Sequence, residues 1–328
     1  SSSGQNINLS FGASAAVNDI HDTTEASISA STVNAAGAVL VQALSTATID
    51  ALTIAGAGSG AAVTGGEGIG VALAGAGTGS DNETTDSTLA FVSDASTVTS
   101  GAGSSVSITA TSASTITAQA IAGSLALNFG GSAGGSVTIS VAIGINTITD
   151  ITRASLDDST VTSGSSVSVT ATSTATIEAL SVGAAVSGSV SSDGEVAIAG
   201  SGAGATSRNE ITNTTEAYLT GTKAVATAAG GALQVFATDR NRIKADAAGG
   251  SLGFSVSGSG LSVSAAVGVG LANNTVTNTV RSYISGTPVT AGSVALSAVT
   301  ASADPARNMI DAVAVGVSVA VALTNPEE

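Results

Sequence analysis

A five-fold internal repeat limits what this chain can become more than any other feature of it. An anchor segment that opens on Asn recurs at Asn18, Asn82, Asn146, Asn209 and Asn274, at spacings of 64, 64, 63 and 65 residues. Four positions after each anchor stands Asp22, Asp86, Asp150, Asn213 or Asn278. About 15 residues on comes a Val step at Val33, Val98, Val161, Val225 and Val289. An alternating segment follows, of the type Val106-Ser-Ile-Thr-Ala110, and runs into an Ile step at Ile49, Ile116, Ile177, Ile243 and Ile310. A sixth Asn, Asn325, has a similar apolar lead-in but arrives after 51 residues. Self-similarity at a fixed period marks stacked units, each burying its apolar side against its neighbours.

The period inside the segments is two, the mark of strands. Val106, Ile108 and Ala110 point inward on this reading, with Ser107, Thr109 and Thr111 outward. The density of Val, Ile, Thr, Ser and Gly disfavours helix. Glycine-rich tips at Gly65–Gly68, Gly130–Gly135 and Ser191–Gly194 read as turns. The expected fold is all-β, a repetitive parallel β-solenoid formed as one continuous array over residues 1–328, cut from a longer protein. The sub-spacings predict four rungs of about 16 residues per repeat. The interval from Ile310 to Asn325 is 15 residues where the others have 30 to 33, which reads as the loss of one rung. Some 20 rungs at a spacing of about 4.8 Å would make a rod on the order of 100 Å long. The competing arrangement is a meander of long antiparallel hairpins, suggested by the Gly-Ser-Gly turn inside Phe254–Ser264.

Composition narrows the function. The chain carries 43% hydrophobic residues but only 2% aromatic ones, so it suits thin architectures with closely spaced sheets. A net charge of −15, with eight Lys plus Arg, excludes a nucleic-acid interface of the usual basic kind. The absence of Cys removes disulfides, thiolate zinc sites and a cysteine nucleophile. The longest apolar run, Ala312–Leu323, is 12 residues long and too short to span a bilayer as a helix, so no membrane insertion is expected of this segment. Stretches such as Val263–Gly270 and Ala312–Val321 are apolar at odd and even positions alike, which implies cover on both faces. Lateral self-association through Ala/Gly-rich faces follows as an expectation.

The candidate residues divide by chemistry. The Asn column (Asn18, Asn82, Asn146, Asn209, Asn274) is expected at turns, where Asn satisfies backbone groups and tolerates left-handed geometry. Asp19, Asp22, Glu25, Asp81 and Asp86 gather oxygen ligands of the kind Ca²⁺ takes. The equivalent positions in later repeats lose their carboxylates, so turn chemistry is preferred and no metal or other cofactor is assigned. His21 is the only histidine and its repeat equivalents are Thr, which leaves almost no material for a nucleophile–base pair; no enzyme is expected. Arg240, Arg242 and Lys244 alternate along one strand face, which reads first as a solvated, edge-protecting charge set and alternatively as a contact to an acidic neighbour or a glycan carboxylate. Tyr218 and Tyr283 share one repeat position, which reads as ordinary surface filling or, alternatively, as a site for stacking on a sugar or a partner rod.

The anchor Asn-x-Ile-x-Asn/Asp-Thr-Thr-Glu-Ala-Tyr/Ser-Ile, the Ser-Thr-Val step and the Ala-Thr-Ile-Asp/Glu-Ala step resemble the repeats of giant bacterial filamentous adhesins of the leukotoxin type. The resemblance runs over nearly the whole chain, is best at Asn209–Leu219 and Ser159–Ala179, and loosest at Asp81–Val92, where Leu89 replaces the Glu. It implies a β-helical exoprotein, extracellular or on the cell surface, serving as a stalk or adhesive rod that contacts host-cell, matrix or glycan surfaces. A self-assembling filament or sheath subunit is the alternative. No catalytic residues come with it.

Overall fold

The computed structural model describes residues 4–63, 68–192, 196–221 and 223–324. Among them every ladder is parallel, the strands number sixteen, and there is no helix. The parallel β-solenoid is therefore the fold, and the antiparallel meander is not.

One 64-residue repeat makes one coil. The first coil is β1 (Gly4–Ser29), β2 (Thr32–Asn34) and β3 (Val39–Ala62). The second is β4 (Gly68–Ser93), β5 (Thr97–Thr99) and β6 (Val106–Gly130); the third is β7 (Ala133–Asp157), β8 (Thr160–Thr162) and β9 (Val167–Ser191). The fourth is β10 (Val196–Thr220), β11 (Val225–Ala226) and β12 (Ala232–Ser257). The fifth is β13 (Leu261–Ser285), β14 (Val289–Thr290), β15 (Ser293–Ser302) and β16 (Ile310–Thr324). First strands stack as one sheet in the order β1-β4-β7-β10-β13, the short second strands as another, and the third strands as a third, with β15 and β16 both laid along β12.

The expectation of four 16-residue rungs is overturned. The Ala/Gly/Val tracts that suggested extra rungs are straight continuations of the two long strands, because nothing breaks their alternation over 24 to 26 residues. Five coils at about 4.8 Å rise on the order of 20 Å, while strands of this length reach about 80 Å. The body is wide and flat. The Gly-Ser-Gly segment does reverse the chain, but it joins β12 to β13 in facing sheets, so it is an arch and not a hairpin. At Gly131-Ser132 a similar arch joins β6 to β7. Residues 65–67 and 193–194 of the other two glycine-rich tips lie outside the described residues. So does Asn325, whose lead-in Val321–Thr324 pairs with Phe254–Ser257 of β12, far from the anchor column.

Register is set residue by residue. Val33, Val98, Val161, Val225 and Val289 form the spine of the short sheet. Ile49, Ile116, Ile177, Ile243 and Ile310 stack in the third-strand sheet. Val106, Ile108 and Ala110 are fully buried while Ser107, Thr109 and Thr111 face out, as alternation requires.

The interior has three zones. Beside the short sheet the section is triangular and filled by bulky residues such as Ile108, Leu156, Val161, Leu219 and Leu233. Next comes a flat zone centred on Ile116, Ile148, Ile177, Ile211 and Ile243. Each such side chain contributes roughly 1.5–3 kcal/mol on burial. Beyond it lies a thin blade whose inner face is almost wholly Ala, Gly, Ser and Thr, for example Ala76, Ala120, Ala122, Ala142, Ser140 and Ser187. There the two sheets are so close that a Cβ added at Gly183 or Gly249 would collide with the carbonyl oxygen of Gly204 or Val269 in the facing strand.

Candidate functional site

Alternation along each first strand sorts the acidic and amide residues onto two faces. The Asn column is not at turns: it lies mid-strand, on the inner face, and Asn82, Asn146 and Asn209 are buried. A buried amide in an in-register parallel stack donates to the copy in the next coil. Asn18 Nδ2 donates to Asn82 Oδ1 at 2.8 Å, Asn82 to Asn146 at 2.8 Å, Asn146 to Asn209 at 2.7 Å and Asn209 to Asn274 at 2.8 Å. The ladder is a continuous polar seam of the amyloid-like type. The left-handed corner residues are instead Ala30, Asp94, Ala95, Asp158, Gly221 and Gly286, where first strands turn into the short sheet. Ser31, Ser96 and Ser159 brace those corners by donating to nearby carbonyls at 2.7, 2.6 and 2.9 Å.

Asp22, Asp86, Asp150, Asn213 and Asn278 form a second inner column. Asp86 accepts from Ser45 and Ser114, each at 3.3 Å; Asp150 accepts from Ser114 at 2.8 Å and Ser112 at 3.3 Å. Their Oδ1 atoms are buried without a hydrogen-bond partner. Burial pushes the Asp150 carboxyl up to about 7, with the Asp86 charge adding to it. Asp86 is raised by burial and then by Asp22. Across the core Asp239, on β12, is pushed up to about 6 by burial against hydrogen bonds from Thr215, Asn241 and Asn213. Sequence reasoning missed Asp239 and the inward Ser residues, because a lone Asp between polar neighbours looks like a surface charge until facing sheets are placed.

The same alternation separates the calcium candidates. Asp22 and Asp86 point in, whereas Asp19, Glu25 and Asp81 stand on the outer face of the same strands, so the five cannot converge on one ion. Among the described residues no group of three or more His, Asp or Glu has metal-binding geometry. His21 is exposed on the outer face beside Thr85.

The partner-contact candidates fall on opposite faces. Arg240, Arg242 and Lys244 face out from β12; Arg242 pairs with Glu178 at 2.9 Å and Lys244 with Asp246 at 3.7 Å. Tyr218 and Tyr283 stack with centroids 4.9 Å apart and ring planes nearly parallel, on the outer face of the first-strand sheet. Beside them Glu216 bridges Arg153 at 2.8 Å and Arg281 at 3.4 Å.

A broad part of the outer surface carries no charge. On the blade, the outward residues of the first strands are apolar or Gly, apart from Gln5 and Thr206, until Asp81 and Arg208 open the polar half. They alternate by coil. β4 presents Gly75, Gly77 and Gly79, and β10 presents Gly200, Gly202 and Gly204. Between them β7 presents Ile139, Val141 and Ile143, and β13, at the edge beyond β10, presents Val267, Val269 and Leu271. Phe11, 75% exposed, leans over Gly75 at one side. Ile139 is 58% and Val267 60% exposed, so these are ridges standing in water beside glycine furrows. The outward blade residues of the third strands, among them Ile54, Leu125, Leu252 and Val317, are apolar as well.

No family model matches this chain, and no curated protein or solved structure matches it either.

Proposed function

We propose that this chain is a non-catalytic structural segment of a large bacterial surface or secreted protein, built as a stalk. The observation that supports this most is the repeat-on-repeat register: each anchor, Val step and Ile step lies beside its own copy in the next coil. Such a stack is a scaffold in which each unit is held by its neighbours. The inner Asn column is joined coil to coil by its amide ladder, and the Asp column is tied to the facing sheet by Ser hydroxyls. Antibody labelling of intact cells of the source tests the reading. Label on unpermeabilised cells, removed by external protease, is the expected result; label that appears only after permeabilisation overturns it.

A second reading, adhesion to glycans, is favoured by the stacked Tyr218 and Tyr283 with Arg281 beside them, its side chain 63% exposed. Aromatic faces next to a cation suit an acidic sugar. Glycan-array binding lost in Tyr283→Ala would support it; binding unchanged in that variant would remove it.

A further inference from the structure

We infer that the outer blade face of the first-strand sheet is an interface for a second copy of this chain, docked ridge into furrow. The inference rests on the structural reading above and names the surface through which such stalks pair.

Size comes first. Four strands (β1, β4, β7 and β10) by six outward positions cover about 800 Å² at ordinary sheet spacings. That exceeds the several hundred Å² of the largest apolar patch on a typical monomer, and it matches the roughly 800 Å² per partner of a stable interface. Charge comes second: the patch has none, and the polar half of the same sheet begins abruptly at Asp81 and Arg208.

Shape selects the occupant. Ridges on β7 and β13 alternate with furrows on β4 and β10, so the corrugation repeats every two coils, about 10 Å. A two-fold axis running along the strands between β4 and β7 brings β4 of one copy over β7 of the other. Gly75, Gly77 and Gly79 then face the second copy's Ile139, Val141 and Ile143 at matched height, because these residues already share register columns. The same rotation places β1 over β10, where Phe11 meets the furrow at Gly202, which shares its column. A lipid surface would reward apolar area but would gain nothing from furrows.

Two substitutions separate shape from stickiness. Gly77 and Gly204 have open space where a Cβ would be, so Gly77→Leu with Gly204→Leu fills both furrows without touching the fold's interior and raises the apolar area. Val141→Lys places a charge on the ridge, at an outward position. Sedimentation velocity of the full chain from about 1 to 100 μM, with circular dichroism to confirm folding, reads the result. The expected outcome is concentration-dependent association of the parent chain, weakened at least about tenfold in both variants, equivalent to about 1.4 kcal/mol. A monomeric parent chain overturns the inference. Association kept or strengthened in the leucine variant but lost in Val141→Lys shows unspecific apolar contact and overturns it; association kept in both places the contact on another surface, the coil ends or the apolar third-strand face, and does the same. Flotation of the parent with neutral phosphatidylcholine vesicles, undiminished by the leucines, assigns the face to lipid instead. None of these results moves the cell-labelling experiment, so the two readings fail separately.

Discussion

Asp150 sits in a column whose next members are Asn213 and Asn278, and that neighbourhood makes its charge testable. Its folded carboxyl titrates at about 7 against 3.8 for an unburied one, because burial penalises the anion. A group raised in this way favours the folded state fully below the unfolded value, and the advantage is lost as pH rises through the folded value. Asp86 and Asp239 are raised for the same reason and act in the same direction. The midpoint of thermal unfolding is therefore expected to fall as pH is raised from about 4 to about 8. Asp150→Asn removes the buried anion and places an amide where two repeats already carry one. At pH 8 it is expected to stabilise the chain by on the order of 2–4 kcal/mol, and at pH 4 by almost nothing. Urea titrations of both proteins at the two pH values check this; an equal effect at both would show that the carboxyl is not held protonated by the fold.

At the scale of the strand, side-chain size is inverted between the two halves of the flat body. Near the short sheet, large residues point in and Thr or Ser points out; on the blade Ala, Gly and Ser point in and Val, Ile and Leu point out. Inward and outward glycines should then respond differently to a methyl group. Gly249→Ala meets the facing Val269 backbone and is expected to cost about 1–3 kcal/mol by overpacking. Gly77→Ala meets open space and is expected to be neutral or mildly stabilising. Chemical denaturation of the two variants side by side decides it. Strand period, parallel stacking and the Val and Ile columns were legible in the sequence, because alternation and repeat phase are local signals. The coil length was not: Gly and Ala in the blade carry the compositional mark of turns while acting as spacers between close sheets. The Asn column was misread for a related reason. Asn suits a turn and a buried ladder equally well until its neighbours across the coil are known, and here the turn lies further along, at Ala30 and Asp158. Alternation already placed Asp19 and Asp22 on opposite faces, a signal against a shared ion that spacing alone did not convey.

At the scale of the molecule, the unit of construction is a whole coil. Deleting residues 83–146 joins Asn82 to Thr147, removes one coil and leaves every remaining residue beside its repeat equivalent. Contacts run only to adjacent coils, so this deletion is expected to fold cooperatively with little change in melting temperature. Deleting residues 83–98 removes the same number of residues as one 16-residue rung and shifts most of a coil out of register; it is expected to be insoluble or unfolded. Circular dichroism melts of the soluble fractions distinguish the two outcomes.

Width has a mechanical consequence. Each turn of this chain adds about 4.8 Å of height but spans about 80 Å across, with sheets only about 10 Å apart. A beam of that section resists bending very unequally: stiffness grows with the cube of the depth in the bending direction. A stack of such coils is a tape, which flexes readily through its thin direction and holds rigid within its broad plane. The two large sheet surfaces would form the convex and concave sides of any curve, so whatever they touch would feel every flexure of the tape.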